Sequence, residues 1–377
     1  MRPKIDASKA RELVERTVDA VTGTRRRNER STEVAGPVPE PSLPSIPTMG
    51  VGSLAVPGWF SFLRRQMQED SFGPADRQEI YSDALRIAVA DQLEAGLDIL
   101  SDGEVRRQRF VFEMHDRLVG LKRLDTARRL GIHGYDQIPQ FEVTGSIDAP
   151  NGLGIVEDFK SLCSLAPGHA LKVAIPGPLT LAGLVHRSRR SEESVLDDLV
   201  RIVRREVEQL VLAGARRIQI DEPGLAHPTH GLSLEAAAQL INRCMEGMSA
   251  RFSVHVCFGN NLGRPVSNRD LERLLPAINS LIASGLVLEF ANREMAQVEL
   301  LQTLGQRFEI AAGVVDVKSF YVETPRQVAD RIELVLRHVA ADRLTATADC
   351  GFSALPRAVA MQKMRALVEG AALVRGD

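Results

Sequence analysis

Eight short apolar runs, each closed by Gly, Pro or a polar residue, constrain this 377-residue chain more than any other feature. They are residues 46–53, 97–104, 171–177, 217–221, 252–257, 286–289, 310–316 and 345–350. Helical periodicity fills 78–95, 194–213, 233–249, 268–283, 294–304 and 325–339 between them. Strands alternating with helices build parallel βαβ units, and eight such units predict an α/β fold, a closed (β/α)₈ TIM barrel over residues 46–377. Residues 105–170 are too long for one crossover and are expected to insert after the second strand, with a helix and a hairpin near 140–147. Residues 1–45 read as an N-terminal arm: a helix over 7–21, the run Arg25-Arg-Arg-Asn-Glu-Arg30, then Pro37, Pro39, Pro41 and Pro44. That composition cannot bury a core, so the arm is expected to be solvated or to pack on a partner subunit. A homo-oligomer is the matching expectation.

Charge and composition narrow the function. A formal net charge of −2 provides no basic field for nucleic acid, and one Trp with three Tyr make no base-stacking surface. No apolar run approaches the roughly 20 residues that span a bilayer. The start, Met1-Arg-Pro-Lys-Ile-Asp6, lacks the apolar core of a secretory signal, so a cytoplasmic, reducing setting is expected. Cys163, Cys244, Cys257 and Cys350 are then free thiols.

In a barrel of this kind the site lies at the C-terminal ends of the strands. Here those ends carry Ser53, Asp102, Glu104, Asp221, Glu222, His255, Cys257, Glu289, Asp316, Lys318, Asp349 and Cys350. His255 and Cys257 are two apart on one strand and so share a face. With Cys350 and Glu289 they make a tetrahedral Zn²⁺ shell of one imidazole, two thiolates and one carboxylate. The bland alternative for the two cysteines is a small buried hydrophobe. Glu289 stands between Leu288 and Phe290, where a carboxylate needs a metal or a cationic partner. Cys163 and Cys244 lie away from strand ends and take the structural reading. Zinc already held by two thiolates suits a third sulfur better than it suits hydrolysis. A substrate thiol there would lose its proton near neutral pH, and its thiolate is the nucleophile, which predicts S-alkylation. Gly50-Val-Gly52 lacks the rest of a dinucleotide loop, so no organic cofactor is expected.

The motifs Gly52-Ser53, Asp102-Gly-Glu104, Ile175-Pro-Gly-Pro-Leu-Thr180, Ile218-Gln-Ile-Asp-Glu-Pro223, His255-x-Cys257, Leu288-Glu289-Phe290 and Asp349-Cys350-Gly351 run in one order from about residue 46 to 357. In that order they resemble the catalytic barrel of cobalamin-independent methionine synthase and its relatives, which include epoxyalkane:coenzyme M transferase. The resemblance implies zinc on His255, Cys257 and Cys350, with Glu289 as a ligand that yields to the substrate thiol. It also implies that Ser53, Glu104 and Asp221 hold the amino-acid part of homocysteine.

The departures lie on the methyl-donor side. The duplicated N-terminal half of the full-length synthase is absent. Its folate-binding segment has no clear match, and Val143-Thr-Gly-Ser-Ile-Asp-Ala-Pro150 stands near that place. No Trp follows the third-strand motif, where the chain reads Leu179-Thr-Leu-Ala-Gly-Leu-Val-His186; Trp59 is elsewhere. A seventh-strand His implicated in proton delivery is replaced by Lys318. On these grounds the favoured expectation is an epoxyalkane:coenzyme M transferase, in which zinc-activated coenzyme M thiolate opens an aliphatic epoxide to a 2-hydroxyalkyl thioether and the alkoxide is protonated. Glu104, Asp221 and Lys318 are its candidate catalytic groups. Arg106, Arg107, Arg293 and Lys318 are candidate cations for the sulfonate, and His227, His230 and Tyr321 further candidate proton donors. The alternative expectation is a short methionine synthase that methylates homocysteine from methylfolate or a methylcorrinoid protein. The residues Glu104 and Asp221 suit its amine. A third reading is a non-catalytic zinc- or corrinoid-binding barrel.

Overall fold

A computed structural model describes residues 41–67, 72–107, 112–124, 140–186, 189–227, 231–260 and 267–377. The arm before residue 41, with its expected helix and basic run, lies outside the described residues, as does His230.

Six parallel strands form one sheet in the order Leu344–Ala348, Glu309–Val315, Gly285–Glu289, Arg251–Val256, Arg217–Asp221, Val173–Pro176. Ile99–Leu100 pairs in parallel with Ala170–Leu171, which leads directly into Val173–Pro176. Thr48 bridges Ala346 and Met49 bridges Ile99, again in parallel. These pairings pass through every expected strand and return to the first, so the expected TIM barrel is what the chain forms.

Alternation along the strands divides the molecule into two compartments. The residues Ile218, Ile220, Phe252, Val254, Leu286, Leu288, Ile310, Ala312, Leu344 and Ala346 pack into the large core under the helices. The intervening residues face into the barrel, where Met49, Val51, Ile99, Ala170, Val287 and Ala311 form a separate small apolar layer. The same parity places Lys172, Gln219, Asp221, His255, Cys257, Glu289, Thr347 and Asp349 inside.

Several expected helices are shorter than their periodicity predicts. The 233–249 stretch is helical only over Leu234–Arg243. The 268–283 stretch is a 3₁₀ turn, Glu272–Leu274, running into Leu275–Ser280. In the 294–304 stretch the α-helix is Leu301–Arg307, because Glu294, Met295 and Gln297 have φ of 54°, 62° and 63°, which a right-handed helix excludes. Helix Arg357–Arg375, which periodicity left unassigned, closes the ring beside Pro325–Leu336. In the insertion, helix Ile155–Leu165 is present, and Gln140–Asp148 is one arm of an antiparallel pair rather than a whole hairpin by itself. It pairs antiparallel with Val119–Leu124 and in parallel with Val185–His186. Carboxylates of helix Glu192–Leu212 pin this sheet and the loop after it: Asp198 accepts from Ile147 N at 2.8 Å and Glu206 from Leu153 N at 2.8 Å.

Gly370 sits where the last two helices touch. A Cβ there would lie 2.6 Å from Val328 Cβ and 3.0 Å from the Pro325 carbonyl oxygen. Gly→Ala in a helix interior ordinarily stabilises by about 1 kcal/mol, but overpacking of this kind costs about 1–3 kcal/mol. Gly370→Ala is therefore expected to lower the melting temperature, measured by circular dichroism, while leaving the metal content of the purified protein unchanged. A raised melting temperature would show that the helix pair has room to give.

Candidate metal centre

Potential ligand atoms of His255, Cys257 and Cys350 all lie within 4.8 Å of one another. Two come from the end of strand Arg251–Val256 and the third follows strand Leu344–Ala348. Gly351 allows the close approach: a Cβ there would collide with Ser53 Oγ and stand 2.9 Å from the Ser53 carbonyl oxygen. The Phe352 N–H then donates to that carbonyl at 2.6 Å, joining the eighth strand end to the first. The four cysteines are free; Cys163 lies within helix Ile155–Leu165, and Cys244 is the buried C-cap of helix Leu234–Arg243.

The parallel register sets Asp221 directly opposite His255. His255 Nδ1 donates to Asp221 Oδ1 at 2.9 Å, and its buried Nε2 has no partner. Burial alone would lower the imidazole pKa, but the hydrogen bond and charge of Asp221 prevail and raise it. The Cys350 thiol is pushed well above its ordinary range by its hydrogen bond to Cys257 and by burial. An oriented imidazole with a free ring nitrogen, beside one buried and one half-buried cysteine, is the donor set of a soft cation such as zinc. The residues present therefore fit the metal expected from the sequence.

Glu289 lies outside that 4.8 Å group. Its Oε2 accepts from Lys318 Nζ at 2.9 Å, with the two side chains 0% and 4% exposed, while its buried Oε1 has no partner. Lys318 is thus a partner that the apolar setting of Glu289 requires, and one carboxylate oxygen remains free.

The first and second strand ends meet through Leu54 N, which donates to the Gly103 carbonyl at 2.9 Å. Glu104 is buried and held at φ 54°, a left-handed conformation that costs a non-glycine residue about 1–3 kcal/mol. Strain of this kind is found at functional positions. Burial raises the Glu104 pKa to about 7, opposed by Arg107 and assisted by Asp221 and Asp102. Arg107 is buried too, 3.4 Å from Glu104 Oε1 and donating to the Ala174 carbonyl at 2.6 Å. Ser53 Oγ meets Ser353 Oγ at 3.0 Å.

Arg106, His227 and Tyr321 are placed away from this cluster, whereas Arg293 stands within electrostatic range of Glu289 and Asp349. Arg106 turns to the outer helix Pro74–Ala95, donating to Gln78 at 3.1 Å and pairing with Asp158 at 3.4 Å. Arg293 lies 5.2 Å over the Phe258 ring and donates to Gln297 at 2.5 Å. His227 is partly buried, which together with Arg273 lowers its pKa. Tyr321 is 58% exposed, its hydroxyl on Gln327 at 2.9 Å.

Four further polar residues take roles that the motifs did not assign to them. The Glu222 carboxylate accepts from Leu179 N at 3.1 Å and Thr180 N at 2.7 Å, so it fixes the turn after the third strand. Asp349 accepts from Phe290 N, Ala291 N and Asn292 N at 2.8, 2.9 and 2.6 Å, and so shapes the loop that carries Arg293. The third and fourth are Lys172 and Gln219, on the third and fourth strands. Their signal was parity: each is a polar residue at an inward position of an otherwise apolar strand.

Residues 46–373 match the family described as cobalamin-independent synthase, catalytic domain. Over 336 residues the chain is 30% identical to a methionine synthase of Saccharolobus solfataricus, covering 89% of this chain and 96% of that protein. A methionine synthase of Sulfurisphaera tokodaii is 29% identical, with 89% of this chain and 94% of that protein covered. Among solved structures, a B12-independent methionine synthase from Shewanella sp. W3-18-1 in complex with selenomethionine superposes with a TM-score of 0.74 at 26% identity, covering 88% of this chain and 98% of that one. With the barrel, the strand-end motifs and 46–373 all in register, the chain belongs to the family of cobalamin-independent methionine synthase catalytic domains.

Proposed function

We propose that this chain is a zinc-dependent methyltransferase that methylates the thiol of homocysteine. The observation that carries the proposal is the free Nε2 of an Asp221-oriented His255 beside one buried and one half-buried cysteine. His255, Cys257 and Cys350 would hold zinc, with Glu289 Oε1 as the exchangeable fourth donor. Zinc bound there would favour the substrate thiolate near neutral pH. Ser53, Glu104 and Asp221 are assigned to the amino-acid part of the substrate. Lys318 keeps the Glu289 charge compensated. In the transfer, the thiolate sulfur bonds to the methyl carbon as the carbon–donor bond breaks, and its electron pair leaves with the donor. A donor that leaves as an amide anion of methylfolate needs a proton, and Lys318 is the assigned source.

The coenzyme M and epoxide reading gains no support from the relatives. Its grounds were the unmatched folate-side features, with the missing duplicated half beside them. Yet proteins covered over 94–96% of their length by this chain are named methionine synthases, so the missing half does not discriminate. Arg106, one of the cations invoked for a sulfonate, is paired on the outer helix instead.

Purified protein loaded with zinc and offered homocysteine and coenzyme M in competition is expected to form methionine, with methylfolate and a methylcorrinoid protein as separate donor arms. Consumption of epoxypropane by coenzyme M, with no methionine in either arm, would overturn the assignment. Cys257→Ala is expected to lose bound zinc by metal analysis and turnover with it.

A second expectation concerns pH. Glu104 holds an ammonium only when ionised, and its pKa is raised to about 7 by burial. The KM for homocysteine should therefore fall as pH rises through about 7. Glu104→Gln should flatten that limb and raise KM by about tenfold or more, the scale of a lost charged hydrogen bond. A KM that keeps its pH dependence in this variant would remove Glu104 from the amine site.

A further inference from the structure

We propose that Lys172 and Gln219 are positioning residues of the metal centre: through Asp221 they fix the proton of His255 on Nδ1 and aim Nε2 at the metal. The inference rests on the zinc reading above and extends it two residues deeper into the barrel.

Donor and acceptor chemistry dictates each link. Lys172 is 3% exposed and faces inward between Ala170 and Ala174. Its ammonium is a donor only, and three acceptors meet it: the Gly50 and Val51 carbonyls at 2.6 Å each and Gln219 Oε1 at 2.7 Å. The Gln219 amide must therefore turn its oxygen to Lys172. Its nitrogen is left to donate to Asp221 Oδ1 at 2.6 Å and to the Val51 carbonyl at 2.8 Å. A carboxylate only accepts, so Asp221 Oδ1 requires the proton of His255 on Nδ1, 2.9 Å away. Nε2 keeps a free lone pair, and it is the ring nitrogen without a partner.

Packing alone does not call for this chain. The barrel layer just below is apolar, with Met49, Ile99, Val287 and Ala311, and branched aliphatic residues commonly fill such layers. A buried ammonium is a costly filler unless each of its protons is used. All three are used here, and two of them hold the backbone immediately before Gly52-Ser53. One anchor thus sets both the metal-binding histidine and the start of the substrate loop.

The test compares Gln219→Met and Lys172→Met with the wild type by chelator competition for zinc and by the absorption spectrum of the cobalt(II)-substituted protein. Loss of an outer hydrogen-bond partner typically weakens a metal by about 10- to 100-fold. That loss, with altered cobalt bands and an unchanged circular dichroism spectrum, is expected for both variants. If Lys172→Met does not fold, Gln219→Met decides, since it removes a neutral amide only. Nitrogen-15 shifts of His255 in the metal-free wild type read the ring protons directly, and a neutral ring with its proton on Nε2 and none on Nδ1 overturns the inference. A folded Gln219→Met with wild-type zinc affinity and cobalt spectrum overturns it as well. A wild type that takes up no zinc fails the functional reading and this inference together; tight zinc in wild type and variants alike fails this inference alone.

Discussion

The bond between His255 and Asp221 is the constraint on which the site depends, and it is a consequence of strand register. Two adjacent parallel strands, paired residue for residue from Arg217 to Asp221, bring the two side chains level inside the barrel. Neither group is tolerable there alone: a buried imidazole wants a partner, and a buried carboxylate wants a donor. Together they satisfy each other and leave one ring nitrogen over. A shift of one residue in that register would turn His255 out into the helix layer and face Val254 inward. The apolar packing of Ile218, Ile220, Phe252 and Val254 under the helices is what forbids the slip. Stability on the outer face therefore enforces chemistry on the inner one.

Around this pair, carboxylates that resemble catalytic groups in the sequence instead hold backbone. Glu222 and Asp349 are fully enclosed, and burial lifts each to about pH 7. Each nonetheless collects two or three backbone N–H groups from a loop that has no other partner for them. Glycine makes this geometry accessible. A Cβ on Gly313 would stand 2.8 Å from Asp349 Cα, and one on Gly224 would stand 2.7 Å from Glu222 Oε1. The strand-end motifs thus mix two kinds of acid: those that fix loops and those that face the site.

How much of this was legible follows the same division. The barrel strands were legible because an apolar run ended by a polar residue or glycine is a local signal. His255, Cys257 and Cys350 were legible only together: each alone has a bland core reading, and their company at strand ends marked them. Helix bounds were less so: the left-handed residues Glu294, Met295 and Gln297 follow from the loop that Asp349 ties down, and that tie spans more than fifty residues. Lys172 and Gln219 were passed over because a lone lysine or glutamine in a strand ordinarily reads as a solvated edge. Their parity marked them as internal. The choice of electrophile found no support for a different reason. It was drawn from features the chain lacks, and an absent Trp or an absent half says nothing positive about what binds instead.

Charge balance explains why Lys318 suits this barrel where a histidine would serve less well. With zinc bound, two thiolates and the divalent cation would cancel, so Glu289 would bring an unbalanced negative charge into a closed interior. Asp349, whose own pKa is pushed up by burial and by Glu289, cannot relieve it. Lys318 at 2.9 Å supplies a full positive charge, whereas a neutral imidazole would supply only a hydrogen bond. The pairing also leaves Glu289 Oε1 free. A carboxylate neutralised on one oxygen and open on the other can approach or leave a cation without exposing bare charge. That is the property an exchangeable position beside a sulfur nucleophile requires.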